Sequence, residues 1–180
     1  ISNYNDQTGY QGTLNFIRSN NDTLGTATRT VDTMNLGGIV WKGVDASALD
    51  HGAEIFCRQN GATDSKVPTR MFLQTHSATA ENSNQLVLNS DGNVGIGVAN
   101  PGDYNSYANN LVVYEAGHSG ITIATNSTNH TSIYFADSTS GTNAYAGYID
   151  YDHSDNSLDI ATNATQAIRI DSSQNATFAG

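Results

Sequence analysis

Leu86-Val87-Leu88-Asn89-Ser90-Asp91-Gly92-Asn93-Val94 and Ile168-Arg169-Ile170-Asp171-Ser172-Ser173-Gln174-Asn175-Ala176 align without a gap at an offset of 82 residues. Each begins with apolar residues that either run on or alternate, as strands do. Each then enters Asn, Asp and Ser, whose side chains bond nearby backbone and favour turns over helix. A strand followed by a tight turn is therefore used twice.

Upstream of these copies the likeness continues in order. Leu14-Asn15-Phe16 resembles Ile133-Tyr134-Phe135, and Gly38-Ile39-Val40-Trp41 resembles Gly147-Tyr148-Ile149-Asp150. A repeat that keeps its order predicts serial modules along an axis. The turn signal Asn100-Pro101-Gly102 sets the expected boundary, giving a first module over 1–100 and a shorter second module over 101–180.

Further strand candidates fall every 10 to 15 residues. In the first half they are Thr13–Arg18, Gly38–Lys42, Ala53–Arg58, Arg70–Thr75 and Gln85–Leu88. In the second they are Asn110–Tyr114, Ser119–Ala124, Thr131–Phe135, Gly147–Tyr151, Ser157–Ala161 and Ala167–Ile170. No amphipathic helix with a cap is visible. Composition agrees, because Asn, Thr, Ser and Gly make up 75 of 180 residues and disfavour helix interiors. Charged residues are only 13 % of the chain, whereas disordered chains carry more charge and fewer aromatic and β-branched residues.

Charge narrows the function classes. Seventeen Asp and Glu against seven Lys and Arg give a formal charge of -10. Nucleic-acid binding needs clustered cations, and an anionic membrane surface repels such a chain. No apolar run approaches the 20 or so residues that span a bilayer. The start at Ile1 and the stop after a turn suggest a segment of a longer polypeptide. Cys57 has no cysteine to pair with; in Ala53-Glu54-Ile55-Phe56-Cys57 it shares a face with Ala53 and Ile55 and reads as a small buried hydrophobe.

The phrase Ser90-Asp91-Gly92-Asn93-Val94-Gly95-Ile96-Gly97, followed by Asn100-Pro101, resembles one common in bacteriophage tail-fibre and related virion structural proteins. There it runs roughly R-I-D-S-S-G-N-V-G-I-G, and a short turn ending in Pro follows. The first copy here has Val87-Leu88-Asn89 in place of R-I-D, while the second keeps Arg169-Ile170-Asp171-Ser172-Ser173. The second then departs, with Gln174 for the glycine and Ala176-Thr177-Phe178-Ala179-Gly180 beyond it. The run Ile160–Gln166 resembles the family's lead-in to that phrase.

This resemblance implies a homotrimeric fibre within a virion tail, in some members ending in a self-cleaving intramolecular chaperone. Physics points the same way, since a module of about 80 residues so poor in large apolar side chains cannot build a sizeable core alone. Gly95 and Gly97 would let backbones approach while Ile96 points inward. The fibre-turn positions are thus Asp91, Gly92, Asn93, Gly95, Ile96, Gly97, Asp171 and Asn175.

No catalytic set emerges. Asp150, Asp152, Asp155 and Asp159 invite a glycosidase reading, but Asp150–Asn156 reads better as a strand end and turn. An EF-hand started at Asp150 has Asp155 and Ala161 where Gly and Glu are required. His51, His76, His118, His130 and His153 lie at no zinc-ligand spacing and read as surface residues, and no cofactor or metal is expected. Asp50-His51 lacks a nucleophile, and Gly117-His118-Ser119-Gly120-Ile121 lacks the last glycine of a nucleophile elbow. Asn21, Asn126, Asn129, Asn163 and Asn175 sit in N-x-S/T sequons, a pattern expected by chance in so Asn- and Thr-rich a chain.

Trp41, Tyr145, Tyr148 and Tyr151 are the candidate glycan contacts, although packing between strands or chains explains them more simply. The sequence therefore predicts an all-β, non-enzymatic fibre segment of short antiparallel strands and tight turns. A β-prism, stacked small sandwiches and a β-helix all remain open as its topology. The expected setting is a phage virion or another extracellular location, supporting host attachment. A glycan-binding or glycan-cleaving tailspike module is the alternative, and a bacterial surface adhesin the weaker one.

Overall fold

A computed structural model describes residues 14–179, except 24, 64 and 81. Among the described residues the chain forms eleven strands, two short 3-10 turns and no α-helix. The fold is all-β, as the composition predicts.

The chain divides into two compact units between Gly120 and Ile121. The sequence reading put the boundary at residue 100. The first unit runs further because a strand beyond Pro101 returns to its sheet. That sheet is six-stranded, in the order β1 (Asn35–Val44), β2 (Leu49–Gln59), β3 (Thr69–Thr75), β4 (Leu86–Leu88), β5 (Val94–Ile96) and β6 (Leu111–Val113). Neighbours are antiparallel except β5 and β6, which run parallel after a crossover containing the 3-10 turn Pro101–Asp103. The second unit is a five-stranded antiparallel meander in chain order: β7 (His130–Phe135), β8 (Gly147–Asp152), β9 (Ser157–Thr162), β10 (Thr165–Ile170) and β11 (Ala176–Phe178).

The repeated stretch builds the same backbone turn twice. Asn89 Oδ1 accepts the N–H of Asp91 at 3.1 Å and of Asn93 at 2.9 Å. Asp171 Oδ1 accepts the N–H of Ser173 and of Asn175, both at 2.9 Å. In each turn the first and fifth residues also close the hairpin, Asn89 N–H to Asn93 O at 3.0 Å and Asp171 N–H to Asn175 O at 3.1 Å. The fourth residue takes positive φ in both: Gly92 at 83° and Gln174 at 67°. Glycine adopts that conformation freely and glutamine does not. The backbone thus keeps the shape of the turn where the sequence departs from the phrase.

Register explains the glycines after the first turn. Phe56, Phe72, Val87, Gly95 and Val112 are successive partners across five strands and share one face. Phe72, Val87 and Val112 are buried, and the rings of Phe56 and Phe72 stack with centroids 4.7 Å apart. Val98 and Pro101 lie over Gly95, where a Cβ would come within 2.5 Å of the Val98 carbonyl oxygen. At Gly97, with φ of 77°, a Cβ would overlap the Tyr114 carbonyl oxygen. The crossover needs both glycines.

The opposite face of the first sheet is apolar and open. It carries the rows Ile39-Ile55-Leu73-Leu86 and Cys57-Met71-Leu88-Val94-Leu111, extended by Ile96 and Val113. Cys57 is half-buried there, beside Ile55 as expected. The second sheet presents Ile133-Ile149-Ile160-Ile168-Phe178 as one cross-strand row. Ile133, Ile149, Ile160 and Phe178 are 49 %, 40 %, 36 % and 70 % exposed. Among the described residues only Phe72, Val87, Val112 and Ala161 are buried hydrophobics, so one chain leaves these rows uncovered.

Two strand expectations fail. Residues 14–18 and 119–124 are not strands, and Thr13 lies outside the described residues. Alternation supplies the pattern, but a strand also needs a neighbouring edge for its N–H and C=O groups. Ile17 and Ile121 are accordingly exposed. The short strands β5 and β11 were not expected, having only three residues each.

Turn chemistry gives two tests. The β9–β10 turn, Asn163-Ala164, has positive φ at both residues, at 51° and 54°. Such turns favour Asn-Gly. Ala164→Gly should raise stability by up to about 1 kcal/mol, and Gly92→Ala should lower it by about 1 kcal/mol, read from urea midpoints. The Asp171 carboxyl is held below its ordinary value, first by the backbone N–H of Asn175 and then by its side chain. A depressed folded value means this support is complete above the ordinary carboxylate range and is lost as pH falls through the lowered value. In an NMR acid titration, the Ser173 and Asn175 amides should report that loss, while the Asn93 amide, bonded to the uncharged Asn89, should not.

Candidate functional site

Alternation on β7 to β10 builds a polar face opposite the isoleucine row. Ser132, Asp150, Asp159 and Arg169 are successive partners across four strands. Two carboxylates directly opposite would repel, so each needs its own donor. His130 Nδ1 lies 2.7 Å from Asp150 Oδ2, and the Ser132 hydroxyl donates to Asp150 Oδ1. Arg169 Nη1 reaches Asp159 Oδ2 at 3.1 Å, and Arg169 Nη2 pairs with Asp155.

Beside this row lies a hollow of about 550 Å³, lined by His130, Tyr134, Tyr145, Tyr148, Asp150 and Asp159. Tyr145 comes from the 3-10 turn Gly141–Tyr145 that delivers the chain into β8. Tyr148 and Tyr134 are cross-strand partners whose rings meet edge-to-face, with centroids 6.1 Å apart. Burial pushes the Tyr148 phenol above its ordinary range, with the charges of Asp159 and Asp150 adding to the effect. It stays a neutral hydroxyl at ordinary pH. Aromatic faces with fixed carboxylate acceptors suit a hydroxyl-rich ligand such as a sugar.

The four predicted glycan contacts do not gather. Tyr145 and Tyr148 share the hollow. Tyr151 is on the other face of β8, edge-on to His153, with its hydroxyl donating to Asn156 Oδ1 at 3.3 Å. Trp41 belongs to the apolar face of the first unit, opposite Ala53. Tyr134 and His130 complete the hollow but were missed, because only the β7–β8 pairing brings them to Tyr148 and Asp150. Asp152, at the end of β8, accepts the hydroxyl of Ser154 and then its N–H, which hold its carboxyl below the ordinary value.

Of the fibre-turn residues, Asp91, Gly92, Asn93, Asp171 and Asn175 lie in the two turns, Gly95 and Ile96 in β5, and Gly97 just after it. Asn93 is buried, whereas Ile96 is exposed on the apolar face. The structure also joins three residues that sequence spacing kept apart: ligand atoms of His51, Glu54 and His76 lie within 4.8 Å of one another.

No protein-family model matches the sequence, and no curated protein does. Solved structures do. The carboxy-terminal domain of the bacteriophage T5 L-shaped tail fibre, with its intramolecular chaperone domain, aligns with a TM-score of 0.52 at 11 % identity. The alignment covers 100 % of this chain and 62 % of that one, so this chain spans under two thirds of the fibre structure. The fold is similar to that of this T5 tail-fibre domain. A further structure of the T5 fibre's carboxy-terminal domain aligns with a TM-score of 0.47 at 10 % identity, over 100 % of this chain and 90 % of that one.

The His130 ring is held above its ordinary value, chiefly by its hydrogen bond to Asp150. A raised folded value means this contact stabilises fully below the ordinary histidine range and fades as pH rises through the raised value. NMR titration should place the His130 midpoint above that of an unstructured histidine, and Asp150→Asn should bring it back. A midpoint at or below the ordinary value would contradict the assigned contact.

Proposed function

We propose that this chain is a structural segment of a bacteriophage tail fibre, working as a homotrimer within the virion tail and supporting host attachment. The observation that carries the reading is the open apolar face of each sheet, on a fold shared with a T5 tail-fibre domain. Covering one large aliphatic side chain is worth about 1.5–3 kcal/mol, so rows of them favour association strongly. A copy of the same chain supplies a matching face without a second gene product. Three copies is the number that the tail-fibre phrase implies.

Substitutions on the rows should separate assembly from folding. Ile149→Asp and Leu88→Asp each put a charge where a partner chain would bury it. Sedimentation velocity should show a three-chain species for the wild type and a shift toward one chain for the double variant. A wild type that sediments as a 19.1 kDa monomer at all concentrations would end the trimer proposal.

A second reading has its own support in the tyrosine hollow. There the segment itself contacts host-surface glycan through Tyr134, Tyr145 and Tyr148, with Asp150 and Asp159 as acceptors. Tyr148→Ala should then reduce retention on immobilised host polysaccharide about tenfold, the worth of one aromatic contact. Equal retention of variant and wild type would remove this reading and leave the structural one untouched.

A further inference from the structure

We propose that His51, Glu54 and His76 form a binding site for a divalent transition-metal ion of the zinc class. The backbone creates the cluster. On a regular strand His51 and Glu54, three residues apart, point to opposite faces. Here the β1–β2 register slips by one residue: Trp41 pairs with Ala53, but Lys42 pairs with His51. Gly52 is the extra residue of a β-bulge, and bulges re-aim side chains. His51 therefore falls on the face of Lys42, Val40 and Glu54.

The third ligand follows from the next pairing. Glu54 is opposite Gln74 on β3, and His76, two residues on, shares the Gln74 face. A backbone bond from His76 N–H to the Gly52 carbonyl, at 3.0 Å, ties the chain after β3 to the bulge itself. The His51 and His76 rings sit with centroids 5.6 Å apart.

Three details point to an ion rather than to a chance meeting of polar groups. All three residues are half-buried, and their ligand atoms lie within 4.8 Å of one another. The Nε2 of His76 is buried with no hydrogen-bond partner among the described residues. Such a nitrogen calls for a partner. Gln74, itself buried, donates from Nε2 to Glu54 Oε1 at 2.6 Å, the outer support that orients a ligating carboxylate.

Ligand chemistry selects the metal. Two imidazoles and one carboxylate suit zinc and its neighbours, whereas calcium and magnesium take oxygen alone. Tetrahedral bonds of about 2.1 Å place ligand atoms about 3.4 Å apart, which small rotations of these side chains reach. Three protein ligands leave one position for water. The ion would clip the start of β2 to the segment just after β3.

The test uses the whole chain, stripped with chelator and dialysed against zinc alone. Wild type should keep one zinc per chain and unfold at a higher temperature with it. Cobalt in place of zinc should give the intense visible absorption of a tetrahedral site. His76→Ala and Glu54→Gln should each weaken zinc affinity about tenfold or more. His118→Ala, away from the cluster, should not change it. The cobalt spectrum depends on no variant, so a misfolded variant does not spoil the test. The proposal fails if wild type keeps no zinc, if cobalt gives only the pale octahedral spectrum, or if His76→Ala binds zinc as tightly as wild type.

Discussion

A strand sends alternate side chains to opposite faces, so every apolar row on a sheet must be covered by something. That constraint organises this molecule. In the first unit the crossover through Val98 and Pro101 covers the row ending in Val87, Gly95 and Val112. On the other face, among the described residues, Met71, Leu88 and Leu111 stay exposed. In the second unit a polar face of paired carboxylates backs an isoleucine ladder that is left open. The first unit buries one apolar row within a single chain, and the second buries little beyond Ala161. The proposed fibre assembly rests on the rows that remain exposed.

Turns hold this arrangement in register. A shift of one residue would move every side chain to the other face of its sheet, so register has to be fixed. The two equivalent Asx-type turns oppose that slip. Each spends one side-chain oxygen on two backbone amides and fixes five residues between paired strands. The same turn is built once with Asn89 and Gly92 and once with Asp171 and Gln174. Bulges complete the register control, at Gly52 in the first sheet and between Gln166 and Ile168 in the second.

Much of the fold was legible in the sequence because its signals are local. Period-2 alternation located Ser157–Ala161 and Ala167–Ile170, and Asn/Asp clusters located the turns between strands. What stayed hidden depends on pairing. Ser119–Ala124 alternates as well as any strand but joins no sheet among the described residues. β5 and β11 are too short to announce themselves and exist because a turn presents them to a neighbour. The tyrosine hollow was half visible, in Tyr145 and Tyr148; Tyr134 and His130 enter only through the β7–β8 register. The His51, Glu54 and His76 cluster was invisible to spacing, because the bulge that assembles it breaks the strand period on which spacing rests.

The central claim is that copies of this chain cover the open apolar rows. Hydroxyl-radical footprinting of the assembled protein tests it directly, residue by residue. The account predicts that Met71, Ile149 and Ile160 are protected, far below what their exposure in a single chain would allow. Oxidation at rates matching that single-chain exposure, at concentrations where the protein is stable, would contradict it.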